Sequence, residues 1–177
     1  MAGLRERTWS RLTQAAFLRG EFVLSSGRRS TFYIDKYLFE TRPDLLRDVA
    51  RLLAHLLPPE TTMLAGPALG GIPLATAVAL ETGIPFVIVR GEAKQYGTAR
   101  TIEGRLGRGD RVVVIEDVVT TGAQAVRAGR EIEAAGGRVL LVLAVVDRSE
   151  GARETVEAAG YRFGSLYDLR EWPVEAP

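Results

Sequence analysis

The stretch VVVIEDVVTTGAQA, Val112 to Ala125, decides how the rest of the chain is read. Four apolar residues run into two adjacent carboxylates, Glu116 and Asp117, and Thr120, Thr121 and Gly122 follow within five positions. An uninterrupted apolar run of this kind fits a strand buried on both faces, and such strands belong to parallel sheets covered by helices. The stretch reads as a strand, a polar turn and the start of a helix. Thr120 and Thr121 offer hydroxyl donors, Gly122 permits close backbone approach, and the amides opening the helix point at whatever sits before them, an arrangement suited to a phosphate monoester. The two acids would repel a phosphate, so they are expected to face sugar hydroxyls or a magnesium ion brought by the ligand. A phosphorylated sugar satisfies both halves.

Outward from this stretch the pattern repeats. TMLAG (62–66), FVIVR (86–90), RVVVIED (111–117), RVLLVLAVVD (138–147) and RFGSLYDL (162–169) read as strands. Between them GIPLATAVALETG (71–83), GAQAVRAGREIEAAG (122–136) and GARETVEAAG (151–160) read as helices. The alternation predicts an α/β fold with a central parallel sheet of about five strands flanked by helices. Ahead of this core, over about residues 61–169, apolar spacing predicts a helix from Leu4 to Leu18. After Gly20, EFVL and TFYID, joined by SSGRRS, read as a strand-turn-strand element, so that residues 1–40 form a small N-terminal segment ahead of the core. Pro43 opens a further helix, DLLRDVARLLAHLL, which Pro58 and Pro59 close. Residues 91–110 show neither period, and a connection of that length inside a compact domain is usually functional or disordered.

Totals narrow the function. The 177 residues, 46% hydrophobic, suffice for one compact domain spanning 1–177. With 23 basic and 22 acidic residues dispersed along the chain, no basic block marks a nucleic-acid or membrane-surface binder. There is no cysteine, the N-terminus lacks a signal-peptide core, and the longest apolar run, VLLVLAVV, is too short to span a bilayer, so a cytoplasmic protein is expected. His55 is the only histidine and has no ligand partners nearby, so the protein is not expected to hold a metal by itself. Only Lys36 and Lys94 are lysines, in a chain that otherwise uses arginine for positive charge. A retained lysine hints at a need for a compact ammonium. There is no GxxxxGK[ST] loop, and neither GPALGG nor GRLGRG is the GxGxxG dinucleotide fingerprint.

In a doubly wound sheet the ligand lies beyond the carboxyl ends of the strands. Three loops there, AGPALGGIP (65–73), VRGEAKQYG (89–97) and IEDVVTTGAQA (115–125), are expected to converge. VVVIEDVVTTGAQA resembles the phosphoribosyl pyrophosphate (PRPP) signature of type I phosphoribosyltransferases. LSSGRRSTFYID (24–35) resembles the hood, VRGEAKQYGTARTIEG (89–104) the mobile catalytic loop, and VVDRSEG (145–151) the base-contacting segment of the orotate phosphoribosyltransferases. The likeness runs in order from about Phe17 to Leu169 and implies the type I phosphoribosyltransferase fold.

It also implies roles. Glu116 and Asp117 would contact the ribose hydroxyls, with Val118, Val119, Thr120, Thr121, Gly122, Ala123 and Gln124 around the 5′-phosphate. Gly66 to Gly71, including Ala68, Gly70 and Gly71, would receive pyrophosphate, their small size letting backbone amides reach an anion. Arg90, Lys94 and Tyr96 occupy positions that bind pyrophosphate and close over the site, Lys94 stabilising the departing charge. Arg148 would hold the orotate carboxylate in a forked pair of hydrogen bonds, with Thr120 and the backbone of Tyr33 and Ile34 facing the same base. The resemblance further implies Mg2+ carried with PRPP and a homodimer whose catalytic loop reaches the neighbouring site. Many members have lysine in place of Ser25 and Gly70, a basic residue in place of Gly91 and histidine in place of Tyr96; Lys36, Arg28 and Arg100 are the residues available to compensate. Two other readings remain open at this point: a type I phosphoribosyltransferase for a different base, and a non-catalytic PRPP-binding regulator.

Overall fold

The computed structural model describes residues 1–23, 29–91 and 101–173. Its centre is a six-stranded sheet in the order β5-β4-β3-β6-β7-β8, formed by β3 (Met63–Pro67), β4 (Phe86–Val89), β5 (Ile102–Glu103), β6 (Arg111–Val119), β7 (Arg138–Asp147) and β8 (Phe163–Asp168). Five of these strands are parallel and coincide with the five read from the sequence. The sixth, β5, runs antiparallel to β4 within the stretch expected to lack regular structure. Two residues are too few to leave a period in a sequence.

Alternation along the strands divides the core. Val113 and Ile115 face one cluster, with Leu12, Leu45, Leu53 and Leu74, supplied by α1 (Ala2–Ala16), α3 (Pro43–Ala54) and α4 (Gly71–Thr82). Val112 and Val114 face the other, with Ala125, Val126, Ile132 and Val156 from α5 (Ala123–Ala134) and α6 (Ala152–Ala158). Burial on both faces explains the unbroken apolar runs, since each buried Val or Ile contributes about 1.5–3 kcal/mol. From β3 the chain crosses by α4 to β4 on one side, and from β6 by α5 to β7 on the other. The loops following β3 and β6 therefore part company at the switch point of the sheet, where a crevice opens.

The hood is a separate antiparallel pair, β1 (Phe17–Val23) and β2 (Arg29–Ile34). The first helix ends earlier than its apolar spacing predicts, because Phe17 and Leu18 already belong to β1. Gly20, expected to precede the strands, lies inside β1 with φ +152° at a register shift between Arg19 and Phe22. Glycine there serves a bulge instead of a break. One further short helix, α2 (Tyr37–Glu40), follows β2 directly. No helix among the described residues is long and apolar enough to cross a membrane.

Candidate active site

β6 continues two residues beyond the acids, with Val118 paired to Val146 and Val119 to Asp147, so Glu116 and Asp117 are strand residues with opposite side-chain directions. Glu116 lies on the side of α5, and Asp117 on the side of α2, α3 and α4. Both are buried, at 4% and 3% exposure. Both nevertheless line a cavity of about 270 Å³, together with Lys36 and the continuous arc from Val118 to Ala125.

That arc is the anion cradle anticipated from the sequence. Gly122 caps α5 in the left-handed region at φ +76°, and a Cβ there would meet Val156 Cγ2 at 2.9 Å and the Ala152 carbonyl at 3.0 Å. Conformation and space both demand glycine at this position. The first turn of α5 carries no acidic residue, leaving its amides and dipole open to a negative ligand. Gln124 Nε2 donates to the Ala68 carbonyl across 3.3 Å, tying this arc to the loop after β3.

The glycines of that second loop have a steric reason beyond the one expected. A Cβ on Gly66 would lie 2.5 Å from the Gly71 carbonyl oxygen, and one on Gly71 would lie 2.6 Å from the Ile115 carbonyl oxygen. A Cβ on Gly70 would fall 1.7 Å from Asp117 Oδ2 and 2.8 Å from Glu40 Oε1. Close packing of this loop against β6 and its acids is thus what the small residues permit. A cis peptide joins Ala68 to Leu69.

Charge in the site is nearly self-compensating. Lys36 Nζ lies 2.7 Å from Asp117 Oδ2, while the Val118 amide donates to Asp117 Oδ1. Burial, the largest single influence, works against the charge on Lys36, but Asp117 together with Tyr37 and Glu40 raises the lysine pKa on balance. Glu40, 3% exposed, faces the same carboxylate; burial first and Asp117 second push its pKa up to about 8. Glu116 is pushed up to about 8 by burial and then by Asp117, with Lys36 and Arg127 pulling the other way. Both glutamates therefore hold a proton near neutral pH, and the Lys36–Asp117 pair cancels. An anionic ligand meets no net negative wall. Glu116 Oε1 is buried with no hydrogen-bond partner among the described residues, on an acid that lines the cavity.

The base-facing residues gather at the same sheet end. Arg148, its side chain 6% exposed, follows β7 and donates its amide to the Val119 carbonyl at 3.0 Å. Its Nε donates to Glu150 Oε1 at 2.9 Å, and its guanidinium lies 4.9 Å from the ring of Phe32 in β2. The hood is thereby fixed over the sheet through Arg148, and Tyr33 and Ile34, next in β2, are half-exposed and buried. At the third loop, Arg90 Nη1 lies 3.5 Å from Glu103 Oε1, and the Arg90 amide donates to the Thr101 carbonyl at 2.8 Å, closing the base of the connection. Arg127 of α5 donates to the carbonyls of Arg90, at 3.4 Å, and Gly91. Lys94 and Tyr96, with Ser25, Arg28 and Arg100, lie outside the described residues.

The profile of the phosphoribosyl transferase domain matches residues 39–165. The orotate phosphoribosyltransferase of Halobacterium salinarum is 52% identical over 147 residues, 83% of each chain. The chain belongs to the orotate phosphoribosyltransferase family. The crystal structure of an orotate phosphoribosyltransferase from Aeropyrum pernix superposes with a TM-score of 0.83 at 36% identity, covering 92% of this chain and 94% of that one. The family member of Mycobacterium tuberculosis H37Rv in complex with PRPP gives a TM-score of 0.80 at 31% identity, over 97% and 99% of the two chains. Membership accounts for the type I fold and for the arrangement of hood, cradle and switch point. Glu40, outside every motif read, and Phe32, inside LSSGRRSTFYID but without a role there, were not singled out by the sequence; their contacts with Asp117, Gly70 and Arg148 reveal them.

Proposed function

We propose that this protein transfers the 5-phosphoribosyl group of PRPP to orotate, giving orotidine 5′-monophosphate and pyrophosphate in pyrimidine (UMP) synthesis. The observation that carries this reading is a single cavity that joins an anion cradle, Val118 to Ala125, to a buried acid pair with an unpaired oxygen on Glu116. The 5′-phosphate belongs to the cradle and the ribose hydroxyls to the acids. A ring nitrogen of orotate attacks ribose C1′ and gives up its proton to water as the bond from C1′ to the diphosphate oxygen breaks, and the bonding pair leaves with pyrophosphate. No protein nucleophile is needed.

The protein's contribution is position and charge. The transition state is oxocarbenium-like, as in other glycosyl transfers, and negative charge grows on the leaving diphosphate. Lys94, delivered by the connection after β4, is assigned to that charge with Arg90 and Tyr96, and a donor of this kind is worth about 3–4 kcal/mol where water is excluded. Arg148, already oriented by Glu150 and Phe32, would hold the orotate carboxylate beside Thr120, Tyr33 and Ile34. Magnesium, arriving with PRPP, would neutralise diphosphate charge, and Glu116 and Asp117 supply oxygen donors of the type that ion prefers. The working form is assigned as a cytoplasmic homodimer in which the loop bearing Lys94 completes the neighbour's site.

The test is orotate consumption followed by absorbance, with PRPP and magnesium each omitted in turn. Consumption that requires both, falls at least about a hundredfold in Lys94→Ala, and shows a raised orotate KM in Arg148→Ala is the expected result. PRPP binding without orotate consumption would direct the search to another base or to a regulatory role.

A further inference from the structure

The two lysines of the chain have different standings: Lys94 belongs to the loop assigned to the leaving group, while Lys36 has no assigned role. Lys36 stands at the start of α2, immediately after the hood. Among the described residues lining the cavity it is the sole cation. Its ammonium is 2.7 Å from Asp117 Oδ2, the same oxygen that fills the space beside the bare Cα of Gly70. The charge is therefore parked between the ribose acid and the loop after β3, where the diphosphate is expected. Its side chain remains 30% exposed, unlike the acid it pairs with, so it has room to move.

The partners of Asp117 show why the lysine can move. Both carboxylate oxygens are occupied within the protein, Oδ1 by the Val118 amide and Oδ2 by Lys36. Each carboxylate oxygen keeps a second lone pair, so ribose hydroxyls can add to these partners; entering the cavity that Asp117, Val118 and Lys36 all line, they crowd out the partner that moves more easily. The Val118 amide is fixed by β6, whereas the lysine is on a flexible stem. A displaced ammonium needs an anion within reach, and the diphosphate of the incoming ligand is the anion on that side.

We propose that Lys36 is a ligand-contacting residue of this site, whose ammonium pairs with Asp117 in the empty enzyme and passes to the diphosphate of PRPP as Asp117 takes the ribose hydroxyls. The inference rests on the reading of the cavity as a PRPP site. Lys36 thus acts twice, keeping Asp117 neutralised before binding and adding a further cation, beside Lys94 and Arg90, to the leaving group.

Titration calorimetry on the full chain tests this with three probes: PRPP with magnesium, inorganic pyrophosphate with magnesium, and ribose 5-phosphate. Lys36→Met is expected to weaken PRPP and pyrophosphate by about ten- to a hundredfold, the loss of one charge-assisted contact, while ribose 5-phosphate changes by less than about threefold. Lys36→Arg should recover part of the loss. The same comparison in an Asp117→Asn background separates the two roles, because a lysine that merely neutralises Asp117 has nothing left to do there. Persistence of the diphosphate-specific loss in that background supports the contact. Its disappearance, or an equal loss for all three probes, overturns it. Lys36→Met that binds PRPP as tightly as the wild type overturns this inference alone, whereas a wild type that binds no PRPP takes the reading of the cavity down with it.

Discussion

Glu40 shows how much of the site is set by single side chains the motif does not contain. Its carboxyl is buried, has no hydrogen-bond donor on either oxygen among the described residues, and faces Asp117, Lys36 and Asp35. With a pKa near 8 in the folded protein against 4.5 ordinarily, it binds its proton more tightly folded than unfolded. Stability from this group is thus fully present below about pH 4.5, is lost as pH rises through the interval to about 8, and is flat above. Glu116 behaves in the same direction, facing Asp117, Lys36, Arg127 and Glu40. Glu40→Gln keeps the shape and removes the titration. Its melting temperature should exceed that of the wild type by about 3 °C or more at pH 8.5 and match it near pH 4.5, as measured by calorimetric scans of the ligand-free protein across that range. A constant offset at all pH values would show that Glu40 is not the titrating group.

The elements divide into those a period can announce and those it cannot. Five core strands and their helices were legible because burial on two faces leaves unbroken apolar runs, as in Val112 to Ile115 and Leu140 to Val146. The bulge at Gly20, the single turn of α2 and the two-residue β5 were not legible, since each is shorter than the window over which a period accumulates. The cradle was legible because its residues are consecutive; the partnership of Lys36, Glu40, Gly70 and Asp117 was not, because three separate segments supply it. The loop between β3 and α4 offers a test at this scale. In Gly71→Ala the new methyl meets the backbone carbonyl of Ile115 and the ring of Pro67 at 2.7 Å, neither of which can turn aside. A loss of about 2–4 kcal/mol in denaturant unfolding is expected. In Gly70→Ala the obstacles are the side-chain ends of Asp117 and Glu40, so the fold should persist while Asp117 is displaced. That variant should lose PRPP affinity by at least about tenfold with unfolding within about 1.5 kcal/mol of wild type. The two substitutions, one residue apart, are predicted to fail by different routes.

At the scale of the whole molecule the described part of the site is built on the core of the sheet. The acids, the cradle and Arg148 are built on β6, α5 and β7, and the hood is fastened to them through Phe32 and Lys36. The base of the connection bearing Lys94 is held by Arg127 on the carbonyls of Arg90 and Gly91 and by Thr101 Oγ1 on Glu131 Oε2 at 2.6 Å. A base pinned to α5 with the working residue farther along suits a loop that serves a neighbouring copy, the arrangement the family resemblance implies. If the loop acts across the dimer, Lys94→Ala damages the partner's site and Asp117→Asn damages its own. Homodimers of either variant are then inactive. In a mixed dimer one site collects both lesions and the other collects neither, so that one intact site is reconstituted. Mixing the two inactive variants in equal amounts and allowing subunits to exchange should restore about a quarter of wild-type activity, since half the dimers are mixed and each has one of two sites intact. A loop that serves its own chain gives no recovery at any mixing ratio, because every site then carries one lesion.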